Sequence, residues 1–168
     1  MTPPIGIDYK IATLCYIFDQ QGRILLLHRR KEPNRDLYSP VGGKLDTVSG
    51  ESPEQCALRE IREETGLHLG HDAIRLTGIV SETAYRGEAH WLMFLYEVHT
   101  PQNVTEAQHD EGRLEWVNPS DISRLPMPDT DRQVIWPLFW EHRGGFFAVH
   151  IDCTANPMTW SVDRSFRH

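Results

Sequence analysis

The chain has 168 residues, of which 39% are hydrophobic and 24% are charged, as in an ordinary folded domain and unlike a disordered chain. The net charge of −7 and the lack of any apolar run near 18 residues exclude an overall basic surface and a membrane span, so we expect neither nucleic acid nor membrane as a partner. Three widely spaced cysteines fit no zinc pattern, and residues 1–10 lack the features of a signal peptide, which together favour the reducing cytoplasm.

The first half of the chain predicts two pairs of strands. Residues 10–18 and 23–30 are β-rich on either side of the turn sequence "DQQG", which predicts a hairpin. Residues 31–39 are interpreted as a loop. Residues 74–85 and 90–99 predict two further strands around the turn sequence "RGEA".

The second half predicts shorter elements. Residues 114–119 indicate a short strand, residues 119–125 a short helix and residues 144–152 a last strand. Residues 130–143 have helical spacing, which Pro137 would kink or interrupt. The tail from about residue 156 gives no prediction. Many strands with only two or three helices favour an α/β (α+β) domain with a mixed sheet, covering residues 1–168 without a linker.

One helix between the strand pairs has clear start and stop signals. Ser52 and Gln55 predict a capping box, Pro53 suits the first helical position, and Gly66 suits the C-terminal stop. The positions on the arc predicted to face the core are Ala57, Leu58, Ile61 and Thr65.

Three acids lie on another arc of this helix. Like charges at the spacing of Glu60, Glu63 and Glu64 repel each other, although Arg59 can pair with Glu63. One interpretation is a solvated acidic face. The other is a hard divalent cation that accepts carboxylate oxygens, and Mg²⁺ with a few carboxylates and substrate phosphates is typical of phosphoryl chemistry.

The stretch from "GGK" through "GES" to "REIREETGL", about residues 42–67, resembles the Nudix box. This box is the signature of hydrolases that cleave a nucleoside diphosphate linked to another group, and the resemblance implies a Nudix-type α/β/α sandwich. Every defined position from Glu51 onward matches. Gly43, however, precedes Glu51 by seven residues instead of the usual five. We favour a lengthened loop that leaves the site unchanged. The alternative is a displaced glycine loop that loses a backbone metal ligand.

The resemblance also implies roles for the residues of the box. Glu60, Glu63 and Glu64 would be catalytic carboxylates that hold Mg²⁺ or Mn²⁺, and the carbonyl of Gly42 would complete the shell. Either Glu60 or Glu64 would also orient or deprotonate the attacking water. Glu51 is expected to support Arg59 instead of binding metal.

Relatives often recruit one more carboxylate from outside the box, just before a strand containing Trp. Glu111 is the first candidate and Asp110 the second. The alternative is that both residues belong to a solvated acidic loop without a ligand. Arg30 resembles a position that touches substrate phosphate in MutT-like members. The alternative is that Arg30 lies at a solvated end of the hairpin. Lys44 could play a similar part.

The C-terminal half resembles the MutT-type branch that hydrolyses oxidised purine nucleoside triphosphates. Asp129 and Asp131 are then candidates for binding the base. The alternative is that these residues only cap the following helix. The chain departs from that branch in two places. Met127 replaces a common aromatic residue, and Ser39 occupies the position of a base-reading Asn, so Ser39 is a candidate substrate contact.

The predicted function is therefore metal-dependent hydrolysis of a nucleoside triphosphate, with an oxidised purine favoured, to monophosphate and pyrophosphate. ADP-ribose or another nucleotide sugar is the main alternative substrate. A non-hydrolytic nucleotide-binding module is the second alternative, and the intact box argues against it. The partner is expected to be a small nucleotide, and the protein a monomer or a homodimer.

Overall fold

The computed structural model describes residues 6–168, and the sheet that they form has eight strands. The strands are β1 (Tyr9–Tyr16), β2 (Ile24–Arg29), β3 (Tyr38–Lys44), β4 (Ile74–Tyr85), β5 (Ala89–Val98), β6 (Gly112–Val117), β7 (Phe146–Asp152) and β8 (Thr159–Phe166). The helices are α1 (Pro53–Thr65) and α2 (Trp136–Glu141), with 3₁₀ turns at His71–Ala73 and Pro119–Arg124 and a π-helical turn at Asp131–Ile135. The prediction about a signal peptide falls partly on residues 1–5, which lie outside the described residues.

The sheet is mixed, as predicted. Its strand order is β6-β2-β3-β1-β5-β4-β7-β8. The β1–β5 and β4–β7 pairs are parallel, and the other neighbours run antiparallel. The parallel β1–β5 pair places β5 between β1 and β4, so residues far apart in sequence face one cavity.

Each face of the sheet carries a separate hydrophobic core. Because side chains alternate along a strand, Leu25 and Leu27 pack with Ile61 of α1, whereas Leu26 lies on the opposite face with Phe139 of α2. The helices thus cover opposite faces, and the predicted α/β/α sandwich is confirmed. No helix in residues 6–168 is long and apolar enough to cross a membrane.

Helix α1 begins and ends where the sequence predicts. The Ser52 hydroxyl accepts a hydrogen bond from the Gln55 amide at 3.1 Å, and the Gln55 side chain accepts one from the Ser52 amide at 2.8 Å. Gly66 ends the helix in the left-handed conformation, with φ of 78°. Ala57 and Ile61 are buried as predicted. The reciprocal cap fixes the first turn and therefore the direction in which the glutamates project.

Three details differ from the sequence prediction. The sequence predicts a loop at residues 38 and 39, but these residues begin β3, a strand whose β-propensity is lowered by Pro40 and two glycines. Strand β8 has no buried residue and so no alternation that could have predicted it. The predicted helix of residues 130–143 begins as a π-helical turn, in which the Trp136 amide donates to the Asp131 carbonyl. Pro137 follows directly and marks the boundary.

Candidate functional site

A cavity of about 640 Å³ brings together most of the residues that the sequence singled out. Its floor includes Ala12 and Leu14 of β1 and Met93 of β5, between walls from the loops on either side. The predicted residues that line it are Ser39, Gly42, Lys44, Glu60, Glu63, Glu64, Asp110, Glu111 and Asp131. A cavity of this size is in the range of small-molecule sites.

The glycine pair lets strand β3 pack directly against α1 and β1. The Gly42 amide donates to Glu64 Oε2 at 3.1 Å. A Cβ at Gly42, whose φ is 153°, would lie 2.0 Å from the Thr13 carbonyl oxygen, and a Cβ at Gly43 would lie 2.4 Å from Glu60 Oε1. A larger residue at Gly42 would therefore push β3 away from β1, and one at Gly43 would displace the Glu60 carboxylate.

Arg59 connects the glutamates of the box. Its guanidinium donates to both carboxylate oxygens of Glu51, at 2.6 and 3.0 Å, and to Glu60 Oε1 at 2.9 Å. It also donates to Glu63 Oε2 at 3.2 Å, the pairing that the sequence predicted. The hydrogen bond from Arg59 is the main cause of the lowered pKa of Glu51, which is about 2, whereas partial burial acts in the opposite direction and raises it. Glu51 faces Arg59 and does not line the cavity.

Burial disfavours the ionised forms of Glu60 and Glu64 at this end of the cavity. Burial, then the charge of Glu60, raises the pKa of Glu64 to about 8, and Glu111 adds to the shift while Arg29 opposes it. Burial also raises the pKa of Glu60. Glu111 is thus close enough to affect the pKa of Glu64.

The oxygen ligands at this end have the chemistry that a hard divalent cation prefers. In residues 6–168, no three His, Cys, Asp or Glu side chains already meet around one point. Glu60 and Glu63 instead face Arg59, and Glu64 faces the Gly42 amide. A cation would replace these contacts in part, and its charge would offset the desolvation of Glu60 and Glu64.

The loop with two additional residues folds away from the cavity. The Asp46 carboxylate accepts hydrogen bonds from the amides of Val48 and Ser49, at 3.1 and 3.2 Å, and Val48 is 98% exposed. Glu51 Oε1 accepts one from the Asp46 amide at 2.7 Å. The insertion is therefore a closed turn on the surface, and both glycines keep their contacts with α1.

The structure does not bring Arg30 or Asp129 into the cavity. The Arg30 amide donates to the Glu111 carbonyl, and its guanidinium faces the Gln108 amide oxygen at 3.0 Å. Arg29 lines the cavity instead, because adjacent strand residues face opposite sides. Asp129 is exposed and lines an adjoining depression of about 430 Å³, although its side chain does not line the cavity itself.

The sequence gives no prediction for several cavity residues, among them Glu82, Tyr85 and His109, whereas Trp91 lies in the cavity wall, in line with its interpretation as core or pocket wall. Trp91 has the ammonium groups of Lys10 and Lys44 at 5.6 and 5.9 Å from its ring centroid. The signal for Glu82 lies in the alternation of β4, which places this acid on the buried face with Val80. Trp91 and Met93 likewise share one face of β5.

Residues 8–136 match the family model of the NUDIX domain, and the chain belongs to the Nudix family. It is 32% identical over 124 residues to a protein of Bacillus subtilis (strain 168) named an uncharacterized Nudix hydrolase, YvcI, covering 71% of this chain and 73% of the relative. The crystal structure of a mutator MutT protein from Bacillus halodurans superposes with a TM-score of 0.72 at 26% identity, covering 92% of this chain and 97% of the other. The protein is a MutT-type Nudix hydrolase, an enzyme that acts on phosphoric anhydrides.

Two further relatives carry names with different substrates. A putative 8-oxo-dGTP diphosphatase of Bacillus subtilis (strain 168) is 29% identical over 126 residues, covering 75% of this chain and 78% of the relative. An ADP-ribose pyrophosphatase of Methanocaldococcus jannaschii is 25% identical over 129 residues, covering 77% and 72%. The family thus acts on small nucleotides and generally uses divalent metal ions.

Proposed function

We propose that this enzyme hydrolyses nucleoside triphosphates to the monophosphate and pyrophosphate, with oxidised purines as favoured bases. The observation that carries the proposal is that one cavity joins the glutamates of the box to a compartment of base-binding character. That compartment has an aromatic wall at Trp91, an apolar floor at Met93 and acids at Glu82 and Asp131. A triphosphate chain at the glutamates would leave the base beside Trp91.

The residues of the chain divide the chemistry between them. Glu60, Glu63, Glu64 and the Gly42 carbonyl would hold Mg²⁺ or Mn²⁺, with Glu111 as the further carboxylate. A bound cation supplies neutralisation of the diphosphate and a water of lowered pKa. Glu60 or Glu64 accepts the proton of the attacking water, a new P–O bond forms, and the anhydride P–O bond on the opposite side breaks.

Cations of the chain itself would bind the phosphates. Lys44 and Arg29 line the cavity, and burial, followed by the charges of Lys10 and Arg29, lowers the pKa of Lys44. The proposed contacts of Arg30 and Asp129 have no support from their positions. Ser39 lines the cavity and remains a candidate contact for the substrate. Glu51 and Arg59 are proposed as supporting residues, because they fix the glutamates without lining the cavity.

The net charge of −7 supports a free nucleotide over a nucleic acid polymer as substrate. Cys15, Cys56 and Cys153 are all free thiols. Such thiols support the proposed cytoplasmic setting. Assembly as a monomer or a homodimer stays a prediction.

A substrate panel with Mg²⁺ tests the proposal. We expect triphosphates to yield monophosphate and pyrophosphate, resolved by ion-exchange chromatography, and excess chelator to abolish turnover reversibly. ADP-ribose, supported by the name of the relative from Methanocaldococcus jannaschii, belongs in the same panel. A far higher kcat/KM for ADP-ribose than for any triphosphate would replace the proposed substrate class, and full activity in chelator would exclude the metal. Binding without turnover of any substrate would indicate a non-hydrolytic module.

A further inference from the structure

The two edge strands of the sheet, β6 and β8, differ in what covers their backbones. Strand β6 pairs with β2, and its outer edge is covered by the preceding loop. The Leu114 amide donates to the Ala107 carbonyl at 2.9 Å, and the Trp116 amide donates to the Glu106 carboxylate at 3.0 Å. Among residues 6–168, only β7 and the side chain of Arg164 form hydrogen bonds with the backbone of β8. The outer edge of β8 therefore offers a row of backbone donors and acceptors to another strand.

Strand β8 also concentrates exposed apolar side chains. Of the six large hydrophobic side chains that are exposed in the described residues, three are on β8, namely Trp160, Val162 and Phe166, at 46%, 44% and 62%. Trp160 pairs with Ile151 of β7 and Val162 with Val149, and both β7 residues are buried in the core that α2 covers. The apolar face of the sheet therefore continues onto β8, where its side chains are exposed.

The charges of β8 suit a second copy of the same strand. Asp163 and Arg164 are adjacent near its centre and make the strand neutral, although the whole chain carries −7. Neither side chain forms an ion pair within residues 6–168. When two copies of β8 run antiparallel about their centres, the Asp163 of each copy lies near the Arg164 of the other. Opposite charges across such a pair of strands stabilise it.

We propose that the protein forms a homodimer in which the β8 strands of two copies pair antiparallel and join the two sheets into one. The two-fold axis of such a pair is perpendicular to the sheet, so each face continues into the same face of the other copy. Trp160 and Val162 of both copies then lie side by side on the face that α2 covers, and each copy removes those of the other from water.

This interface is separate from the proposed reaction. No residue of β8 lines the cavity, and the strand lies beyond residues 8–136, which match the family model. The inference therefore does not depend on which nucleotide is the substrate.

Analytical ultracentrifugation of the full chain tests the proposal. At about 100 μM a complex with a Kd near 1 μM is almost fully formed, so we expect the wild type to sediment with twice the mass of the chain and to dissociate on dilution. Val162→Lys places a charge in the shared apolar face and should weaken the dimer at least about tenfold. The same change at Val48, which is 98% exposed in the turn after β3, is the matched control and should leave the dimer unchanged.

Exchange of charges provides a second test that needs no change in the apolar face. Asp163→Arg and Arg164→Asp each give β8 two like charges, so each variant alone should dimerise at least about tenfold more weakly than the wild type. An equimolar mixture of the two variants should recover the dimer, because one strand then carries two bases and the other two acids. Circular dichroism checks that each variant folds, and the charge variants decide the question if Val162→Lys does not fold.

The outcomes separate this inference from the proposed function. A wild type that stays monomeric at about 100 μM would overturn the proposed dimer. Single charge variants that dimerise as tightly as the wild type, or a mixture that shows no recovery, would also overturn the pairing of β8. A dimer with the expected properties in a protein that hydrolyses no nucleotide would support the interface and overturn only the proposed reaction.

Discussion

The buried carboxylate of Glu64 is the residue on which the proposed chemistry depends most. Glu64→Gln keeps an oxygen that can accept from the Gly42 amide but removes the charge. We expect kcat with Mg²⁺ to fall on the order of 10²–10³-fold, as when one preorganised charge-stabilising group is lost. Without metal, the melting temperature should stay level or rise, because the desolvation of a buried charge is removed. Glu63→Gln should show the same loss of kcat, although its half-exposed side chain carries no comparable desolvation cost.

Glu54→Gln provides the matched control on the same helix. Glu54 lies in the first turn, pairs with His71 at 2.9 Å and does not line the cavity. Its kcat should equal that of the wild type. Near wild-type kcat in both Glu63→Gln and Glu64→Gln would show that the acids of α1 form only a solvated face and have no part in catalysis.

Glu51 makes a different prediction, because its partner is Arg59. Glu51→Gln loses the paired charge and should lower the free energy of unfolding by about 1–3 kcal/mol at pH 7, with a smaller effect on metal affinity. The folded pKa is depressed to about 2 from 4.5, so the stabilisation is present above pH 4.5 and is lost as the pH falls towards 2. Urea unfolding of both proteins measures the difference, which should shrink over that range. A difference that is constant from pH 7 to pH 2.5 would contradict the ion pair.

At the scale of the secondary-structure elements, we predict the effect of shortening the turn that contains the two additional residues. Deleting Val48 and Ser49 shortens a surface turn that holds itself through Asp46 and does not line the cavity. We expect a Mg²⁺ dependence and kcat within a few-fold of the wild type, because loop closure changes little with two residues. Steady-state kinetics and a metal titration are the measurements. A folded deletion variant with a large loss of kcat would show that the longer turn shapes the site.

The elements that the sequence predicted are those whose burial or caps leave a local pattern. Helix α1 has both caps in its sequence, and β4 was predicted at its observed bounds. Strand β3 could not be predicted in this way, because Pro40 and the glycines oppose β-propensity and only the packing against β1 and α1 requires them. Strand β8 pairs with β7 by its backbone while every side chain stays exposed.

The same distinction applies to the candidate site. The acidic arc of Glu60, Glu63 and Glu64 follows from spacing on one helix, and Glu111 is a candidate through the family resemblance. All four line the cavity. Arg29 was missed in favour of Arg30, because one residue of strand register decides which side chain faces the cavity. Glu82 is not predicted from the sequence, because Asp131, whose pKa is raised by burial and then by the charge of Glu82, is 49 positions away and comes close to it only in the folded chain.

For the whole molecule, the cavity separates two acidic groups with different requirements. Besides burial, Arg59 and Glu63 are the main neighbours that affect the pKa of Glu60, and Glu60 is the main neighbour that raises the pKa of Glu64, whereas Glu82 is the neighbour that raises the pKa of Asp131. One group has Arg59 beside it and suits a cation. Within residues 6–168, no cation affects the pKa of Glu82 or Asp131, and this end of the cavity suits neutral hydrogen-bonding edges. A nucleotide, with phosphates at one end and a base at the other, satisfies both groups at once.

This arrangement predicts how the stability of the whole molecule depends on pH. Burial raises the pKa of Glu82 in the folded state to about 7 from 4.5, so the folded protein binds more protons than the unfolded chain between these values. Stability is therefore greatest below pH 4.5 as far as Glu82 is concerned, and falls as the pH rises towards 7. Glu82→Gln cannot ionise and should gain stability relative to the wild type over this window, on the order of 1–3 kcal/mol. Chemical unfolding from pH 4.5 to 8.5 in chelator measures the free energy of unfolding of the wild type, of Glu82→Gln and of the control Glu88→Gln, on the exposed turn between β4 and β5. Titration of Glu64 changes this free energy equally in all three proteins, so it does not affect the comparison. Parallel curves for Glu82→Gln and the wild type would show that Glu82 is ionised in the folded protein throughout, and that the cavity holds a charge at its base end.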